Sequence, residues 1–349
     1  MTVTRRTFIA TIGAGIAAPA VLRVTPANAA DVTLRLHHFL PAMSNVHTKV
    51  LMPWAKRVAE ASGGKLKIDI FPSMQLGGTP PQLYDQAKDG VADIIWTLPG
   101  YTASRFPASE VFELPFIASR NASVSARAAQ DYADQHLKEE TKDVRLLSFW
   151  CHDRGVIHSN RQVNTMEDLK GLKLRFPTRL AGEALKLLGA SPIGMPVPQV
   201  PESLAQKVID GAVIPWEVVP AVKVQELVKF HTEIPGSPTF YTATFMLAMN
   251  PAKYDSLPAD LKKVIDDQSG MAFASEAGKI WDEMSGSVLE MVQKRGGNTI
   301  TTISEDEKAK WMKTTEPVVE AWIKQMQGRN LDGAKLLEAA KASLAKYQA

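Results

Sequence analysis

The sequence predicts an α/β protein built as two lobes, and three observations predict it. After a leader, residues 32–96 alternate strand and helix patterns in the order β-α-β-α-β, the mark of a layer built on a parallel sheet. The alternation restarts after a helical stretch at 124–138 and runs on to residue 249. About 320 residues follow the leader, enough for two domains of ordinary size.

Residues 1–29 read as a targeting segment. Paired Arg5 and Arg6 precede a modestly apolar stretch from Phe8 to Leu22, too short to span a bilayer. Ala27-Asn28-Ala29 is a small-x-small cleavage site, so the mature chain is expected to begin at Ala30. The paired arginines, the weak hydrophobicity and Arg23 near the cleavage site point to export by the twin-arginine route rather than the general secretory one. The segment holds three arginines and no acidic residue; without it, 37 basic residues face 37 acidic ones. The formal charge of +3 thus vanishes, and with it the case for nucleic acid or an anionic membrane as partner. Gly13-Ala14-Gly15 matches a dinucleotide fingerprint in spelling only: no strand precedes it, and it leaves with the leader. Cys151 is the single cysteine, so no intrachain disulfide forms. No later run is long and apolar enough for a membrane helix, and a soluble exported product is expected.

Val32–Leu36 alternates polar and apolar residues, as a strand does. Val46, Val50, Trp54 and Val58 recur every four residues, an amphipathic helix stopped by Gly63-Gly64. Leu66–Phe71 alternates again, and Thr79 then caps a helix with Pro80 in its first turn, reaching Lys88. Asp93–Trp96 is a buried strand followed by the loop Leu98–Tyr101. In the second half, 144–150, 155–160, 172–176 and 212–214 read as strands, with helices over 179–188 and 201–209. Tyr241–Met249 is a strand running into Asn250-Pro251. From Pro258 to Arg295 no further proline or turn cluster intervenes, which predicts one long helix. Gly270, Gly278 and Gly286 recur along it every eight residues and are read as points of close helix packing. Gly296-Gly297 ends it, 298–303 is an edge strand, and Ser304 starts the C-terminal helices.

One residue stands out chemically. Lys173–Phe176 alternates, and Pro177 cannot extend a sheet ladder. Arg175 is therefore expected at the carboxyl end of a strand, where open α/β sheets bind ligands. Its guanidinium is always charged and offers a rigid fork matched to a carboxylate; the alternative role is a surface ion pair. No Gly-x-Ser-x-Gly elbow, phosphate loop or His-Glu-x-x-His occurs, so no catalytic residue is assigned. The histidine pairs His37-His38 and His152…His158 fit no recognised ligand spacing, and neither metal nor cofactor is expected. His152 or His158, as a neutral imidazole, suits a hydrogen bond to a ligand.

Gly90-Val-Ala-Asp93 before a strand, Phe112-Glu-Leu-Pro115-Phe116, Asp168-Leu-Lys-Gly-Leu-Lys-Leu-Arg175, Leu188-Gly-Ala190, Met195-Pro196 and Val208-Ile-Asp210-Gly211 follow one another in a familiar order and spacing. In these the chain resembles the solute-binding proteins of TRAP (tripartite ATP-independent periplasmic) transporters, the DctP family, over essentially its whole mature length. The resemblance implies a two-lobed periplasmic binding protein fold, with a ligand cleft between the lobes and a long helix spanning both. It divides the chain into 30–153, mainly the first lobe; 154–245, mainly the second; and 246–349, a crossing strand, the spanning helix and C-terminal helices shared by both.

It also implies that Arg175 binds the solute carboxylate. Many members carry a second arginine upstream; here Gly155 stands at that place, with Arg154 one residue earlier. Since a strand reverses its side-chain direction at each residue, Arg154 is a candidate contact whose direction is left open. Where many relatives read Asp-Gly-Gln-Glu-Asn-Pro, this chain has Asp210-Gly-Ala-Val-Ile-Pro215-Trp216-Glu217, losing an asparagine that often contacts the solute. Trp216, Tyr101, Phe240 and Tyr241 are expected to wall a pocket around an apolar or aromatic tail, with His38 helping to close it and His158 within reach. Glu217 is similar to a residue of relatives that bind metal-assisted oxo acids, but the neighbouring pattern differs and no metal is inferred. The implied function is capture of a small organic acid, a monocarboxylate such as a 2-oxo, 2-hydroxy or aryl acid. Delivery to membrane subunits of the DctQ and DctM type follows, with only peripheral contact at the membrane. The other classes left open are an exported cofactor- or metal-dependent enzyme and a sensory binding protein.

Overall fold

The computed structural model describes residues 30–348; the leader read at 1–29 lies outside them. Its strands, in chain order, are β1 (Val32–His37), β2 (Leu66–Phe71), β3 (Ile94–Thr97), β4 (Arg145–Cys151), β5 (Val156–Ser159), β6 (Lys173–Phe176), β7 (Ser191–Gly194), β8 (Gly211–Ile214), β9 (Phe230–Glu233), β10 (Thr244–Met249) and β11 (Thr299–Thr302). They form two sheets, ordered β2-β1-β3-β10-β4 and β11-β9-β5-β8-β6-β7. In the first, β1 runs parallel to β2 and β3, and β10 is antiparallel to its neighbours β3 and β4. In the second, β6 lies parallel between β7 and β8, while β5 is antiparallel to β8 and β9. The edge strand β2 keeps its alternation, Leu66 and Ile68 inward and Lys67 outward; the inner strand β3 is buried throughout and reads as an unbroken apolar run. Each sheet with its helices is one lobe.

The chain passes between the sheets three times, from β4 to β5, from β9 to β10 and from β10 to β11. The first two crossings run side by side: His152 N–H donates to Ala243 O at 3.4 Å and Gly155 N–H to Tyr241 O at 3.1 Å. The third carries the 26-residue helix Gly270–Arg295, which packs on helix Ala122–His136 and β4 in the first lobe and on the turn Trp216–Val218 in the second. A second bridge is the helix Glu305–Gln327, capped by Ser304. Near its start Glu307 accepts from Met166 N–H at 2.6 Å, and near its end Trp322 donates to Pro107 O at 3.2 Å.

The structure corrects three expectations and adds one strand that the sequence reading did not name. The stretch from Pro258 is two helices, Ala259–Asp267 and Gly270–Arg295. Gly270 takes φ +60°, the left-handed region that a glycine enters without penalty, and the Trp54 indole takes the freed Gln268 carbonyl at 2.8 Å. The helix expected at 201–209 is shorter, Val200–Ala205, because Lys207 turns left-handed at φ +59°. The strand β9 has no alternation to betray it: His231, Thr232 and Glu233 are all buried between β5 and β11. The glycine stripe has one packing member, not three. A Cβ at Gly278 would stand 2.7 Å from Ala122 O and 2.9 Å from Ser123 Cα, whereas nothing lies within 4 Å at Gly286. The close approach lets Asp282 reach the start of helix Ala122–His136, accepting from Ala122 N–H at 2.7 Å and Ser123 N–H at 3.0 Å. A carboxylate there caps free N–H groups and meets the positive end of the helix dipole.

Two substitutions in this stripe should therefore act in opposite directions. Gly278→Val forces the two helices apart and should cost about 1–3 kcal/mol. Gly286→Ala relieves only the helix penalty of glycine and should gain up to about 1 kcal/mol. Thermal unfolding of both variants decides it; equal shifts of the same sign would refute the assignment.

Candidate functional site

Between the lobes lies a narrow cavity lined by residues of both. Arg175 reaches it from the carboxyl half of β6, in register with Ile193 of β7 and Ala212 of β8. The side chain is 1 % exposed. Nε donates to Met195 O at 2.8 Å and Nη1 to Val213 O at 3.3 Å. Nη2 is buried with no hydrogen-bond partner among the described residues. The Tyr101 hydroxyl adjoins this guanidinium and accepts from Val197 N–H at 3.0 Å, while the Tyr241 hydroxyl donates to Val213 O at 3.2 Å. A fixed cation thus presents a free donor to an enclosed space.

The rest of the wall is mostly aromatic. Phe39 stacks on Trp96 with ring centres 4.8 Å apart, Phe245 lies 5.2 Å from Trp96, and Trp281 stacks on Phe245 at 4.9 Å. His152 joins them as a neutral imidazole: burial lowers it to about 3. Its Nδ1–H donates to Asp153 O at 2.6 Å and its Nε2 accepts from Ala243 N–H at 2.9 Å, so both nitrogens serve the backbone. Contacts between the lobes hold the space shut. Besides Tyr101 to Val197, Asn45 Nδ2 donates to Glu217 O at 2.9 Å and Arg179 Nη2 pairs with Glu110 Oε2 at 2.5 Å.

Of the residues expected to meet the ligand, Arg175, Tyr101, Tyr241 and His152 line this cavity together. The others stand outside its wall. Trp216 turns into the second lobe, donates to Glu233 Oε1 at 2.8 Å and packs against His158. Phe240 is sandwiched by Phe116 and Trp311. His38 supports the wall from behind: its Nδ1 accepts from Leu40 N–H at 3.2 Å, its Nε2–H points to His47 Nδ1 at 2.9 Å, and its edge meets Trp96. Burial and its histidine neighbours lower it to about 3. His158 donates from Nε2 to Ile214 O at 3.3 Å and accepts at Nδ1 from His231 at 2.7 Å; burial keeps it neutral. Arg154 points away, donating to Glu233 Oε1 at 2.9 Å and Asp153 Oδ2 at 3.1 Å. Its neighbour Gly155 faces the Tyr241 ring so closely that any Cβ there would overlap it.

A family model for bacterial extracellular solute-binding proteins, family 7, DctP, matches residues 36–325. The chain belongs to this family. A TRAP solute-binding protein of Rhodoferax ferrireducens, solved with copurified benzoate, is 45% identical with a TM-score of 0.88, covering 90% of this chain and 98% of that one. One from a marine metagenome, specific for aromatic acid ligands and solved with 3-hydroxybenzoate, is 42% identical with a TM-score of 0.89, covering 92% and 100%. The C4-dicarboxylate-binding periplasmic protein of Rhodobacter capsulatus is 24% identical, over 98% of this chain and 99% of that protein. DctP proteins are two-lobed solute-binding components of TRAP transporters and are not enzymes, which removes the enzyme alternative. They take small organic acids and work with membrane components. Among the described residues no helix is long and apolar enough to cross a membrane, and no group of three or more His, Cys, Asp or Glu is placed to hold a metal.

Sequence reasoning missed Phe39, Trp96, Phe245 and Trp281 as cavity wall. Trp96 and Phe245 sit in strands buried on both faces, where a pocket wall and a core residue read alike. Phe39 follows the end of β1, the same strand-end signal that marked Arg175.

Two buried carboxyls flank the site. Burial pushes Glu113 and Glu217 up to about 8. Glu113 lies behind the wall, accepting from Thr244 N–H at 3.1 Å and Thr244 Oγ1–H at 2.8 Å. In an unfolded chain such groups ionise near 4.5, so the folded DctP protein holds protons that the unfolded one has released. Stability from these groups is whole below about 4.5 and is lost as pH rises toward about 8. Glu113→Gln keeps the acceptor for Thr244 and should remove about 1.4 kcal/mol of that loss per pH unit. Calorimetric Tm values at about pH 5 and pH 8 check this; an unchanged fall between them would show Glu113 ionised in the native state.

Proposed function

We propose that this chain captures an aromatic monocarboxylate in the periplasm and presents it to membrane subunits of the DctQ and DctM type. The observation that carries the reading is the free, buried Nη2 of Arg175 at a cavity walled by Phe39, Trp96, Phe245 and Trp281. A carboxylate meets the guanidinium as a charge-assisted partner, and a ring beyond it meets aromatic faces at stacking distance. The lining carries one fixed positive charge. At the position of the second arginine of many relatives, Gly155 leaves room for the Tyr241 ring, and Arg154 is occupied by Glu233 and Asp153. One cation suits one carboxylate. The relatives from Rhodoferax ferrireducens and the marine metagenome, which hold benzoate and 3-hydroxybenzoate, support the same class. The twin-arginine leader read at residues 1–29 supports the periplasmic location, and the lobe closure held by Tyr101, Asn45 and Glu110 gives the membrane subunits a form to recognise.

Arg175→Ala should cost roughly 2–5 kcal/mol of binding to an aryl carboxylate, because the ligand's charge is then buried unpaired. Titration calorimetry on benzoate measures it, and near-unchanged affinity in a folded variant would overturn the assignment. In a thermal-shift panel, aryl monocarboxylates at a hundredfold excess over Kd should add about 2.7 kcal/mol of stability. Stabilisation by C4 dicarboxylates or sugar acids alone would refute the ligand class.

A further inference from the structure

Glu217 follows Trp216 in the short turn Trp216–Val218 after β8. The two side chains part: the indole goes into the second lobe, and the carboxyl joins the cavity wall. Glu217 is 1 % exposed, and its Oε1 has no hydrogen-bond partner among the described residues. Buried polar atoms are nearly always partnered, and an orphan destabilises the fold. A carboxyl oxygen kept without a partner at the wall of a ligand cavity is available to a ligand.

The residue is held from both lobes. Its main-chain oxygen takes the Asn45 amide, and the backbone N–H of Val46 faces its carboxyl. The charges that act on it are those of Asp153 and Lys49, whereas Arg175 acts on Tyr101, Tyr241 and His152. Carboxyl and guanidinium enter the cavity from different elements, the turn after β8 and the strand β6. Trp281, on the helix that packs against this turn, also lines the cavity, with an indole N–H unpartnered among the described residues. Burial keeps Glu217 protonated near neutrality, so it offers an O–H and a carbonyl rather than a negative charge.

We propose that Glu217 is a specificity residue, whose Oε1 hydrogen-bonds a hydroxyl carried on the solute ring away from the carboxylate. The cavity then prefers hydroxylated aryl carboxylates to their unsubstituted parents. This rests on the aryl-carboxylate reading above and adds to it the far end of the ligand.

The test compares benzoate with 2-, 3- and 4-hydroxybenzoate by titration calorimetry on the full mature protein. Wild type should favour one hydroxybenzoate over benzoate by roughly threefold to tenfold, the worth of one hydrogen bond to a buried group. Glu217→Met should bring that ratio to about one; Glu217→Gln, which keeps a donor and an acceptor, should retain the preference. Equal weakening of all ligands in Glu217→Met, or a wild type indifferent to the hydroxyl, would overturn the proposal. Infrared difference spectra of the wild type read the contact without the methionine variant. A protonated-carboxyl band that is absent in Glu217→Gln should shift when the favoured hydroxybenzoate replaces benzoate, and an unmoved band counts against the contact. Failure of wild type to bind benzoate or any hydroxybenzoate would sink the aryl-carboxylate reading itself, a result distinct from loss of the hydroxyl preference.

Discussion

A guanidinium removed from water is costly unless it is compensated, and the site is organised around that constraint. Arg175 receives dipoles rather than a counter-charge: Met195 O and Val213 O each accept one donor, and the Tyr101 hydroxyl adjoins the group. The acids that might have neutralised it are kept from doing so. Burial holds Glu113 and Glu217 protonated, Glu233 is committed to Arg154 and Arg120, and Glu110 to Arg179. The cavity consequently keeps a net positive centre in a low-dielectric space, where an anion is bound more strongly than at the surface.

Placing that centre requires strands from one lobe and a lid from the other. The parallel trio β7, β6 and β8 aims Arg175 and the turn after β8 at the cleft, while the ends of β1 and β3 bring Phe39, Trp96 and Tyr101 to meet them. The side-by-side crossings at 152–155 and 241–243 form a narrow joint, hydrogen-bonded along its length. Behind it the helices Gly270–Arg295 and Glu305–Gln327 touch both lobes, so relative motion must be taken up as bending at few places.

How much of this the sequence disclosed depended on whether the signal was local. Arg175 was legible because alternation over four residues followed by Pro177 fixes a strand end. Tyr101 was legible for the same reason, being a loop residue after a buried strand. Trp216 misled because it too follows a strand end; yet the turn that begins there sends the indole to Glu233 and the next residue to the cavity. Phe240 and Tyr241 adjoin in sequence but face opposite ways, and only the partner surfaces, Trp311 for one and Gly155 for the other, decide which. The break at Gly270 was hidden because a glycine inside an apolar-periodic stretch does not reveal its own φ, and Trp54, which satisfies the freed carbonyl, is some two hundred residues away. The boundaries of the lobes in sequence rest on the resemblance, since the chain crosses between sheets without any change of composition.

All seven tryptophans are buried, and two of them, Trp96 and Trp281, form part of the cavity wall, linked through Phe245. Indole emission depends on local polarity and on neighbouring acceptors. A ring admitted against those two faces changes the surroundings of two of the seven fluorophores directly. The chain thus carries an intrinsic optical gauge of its own occupancy.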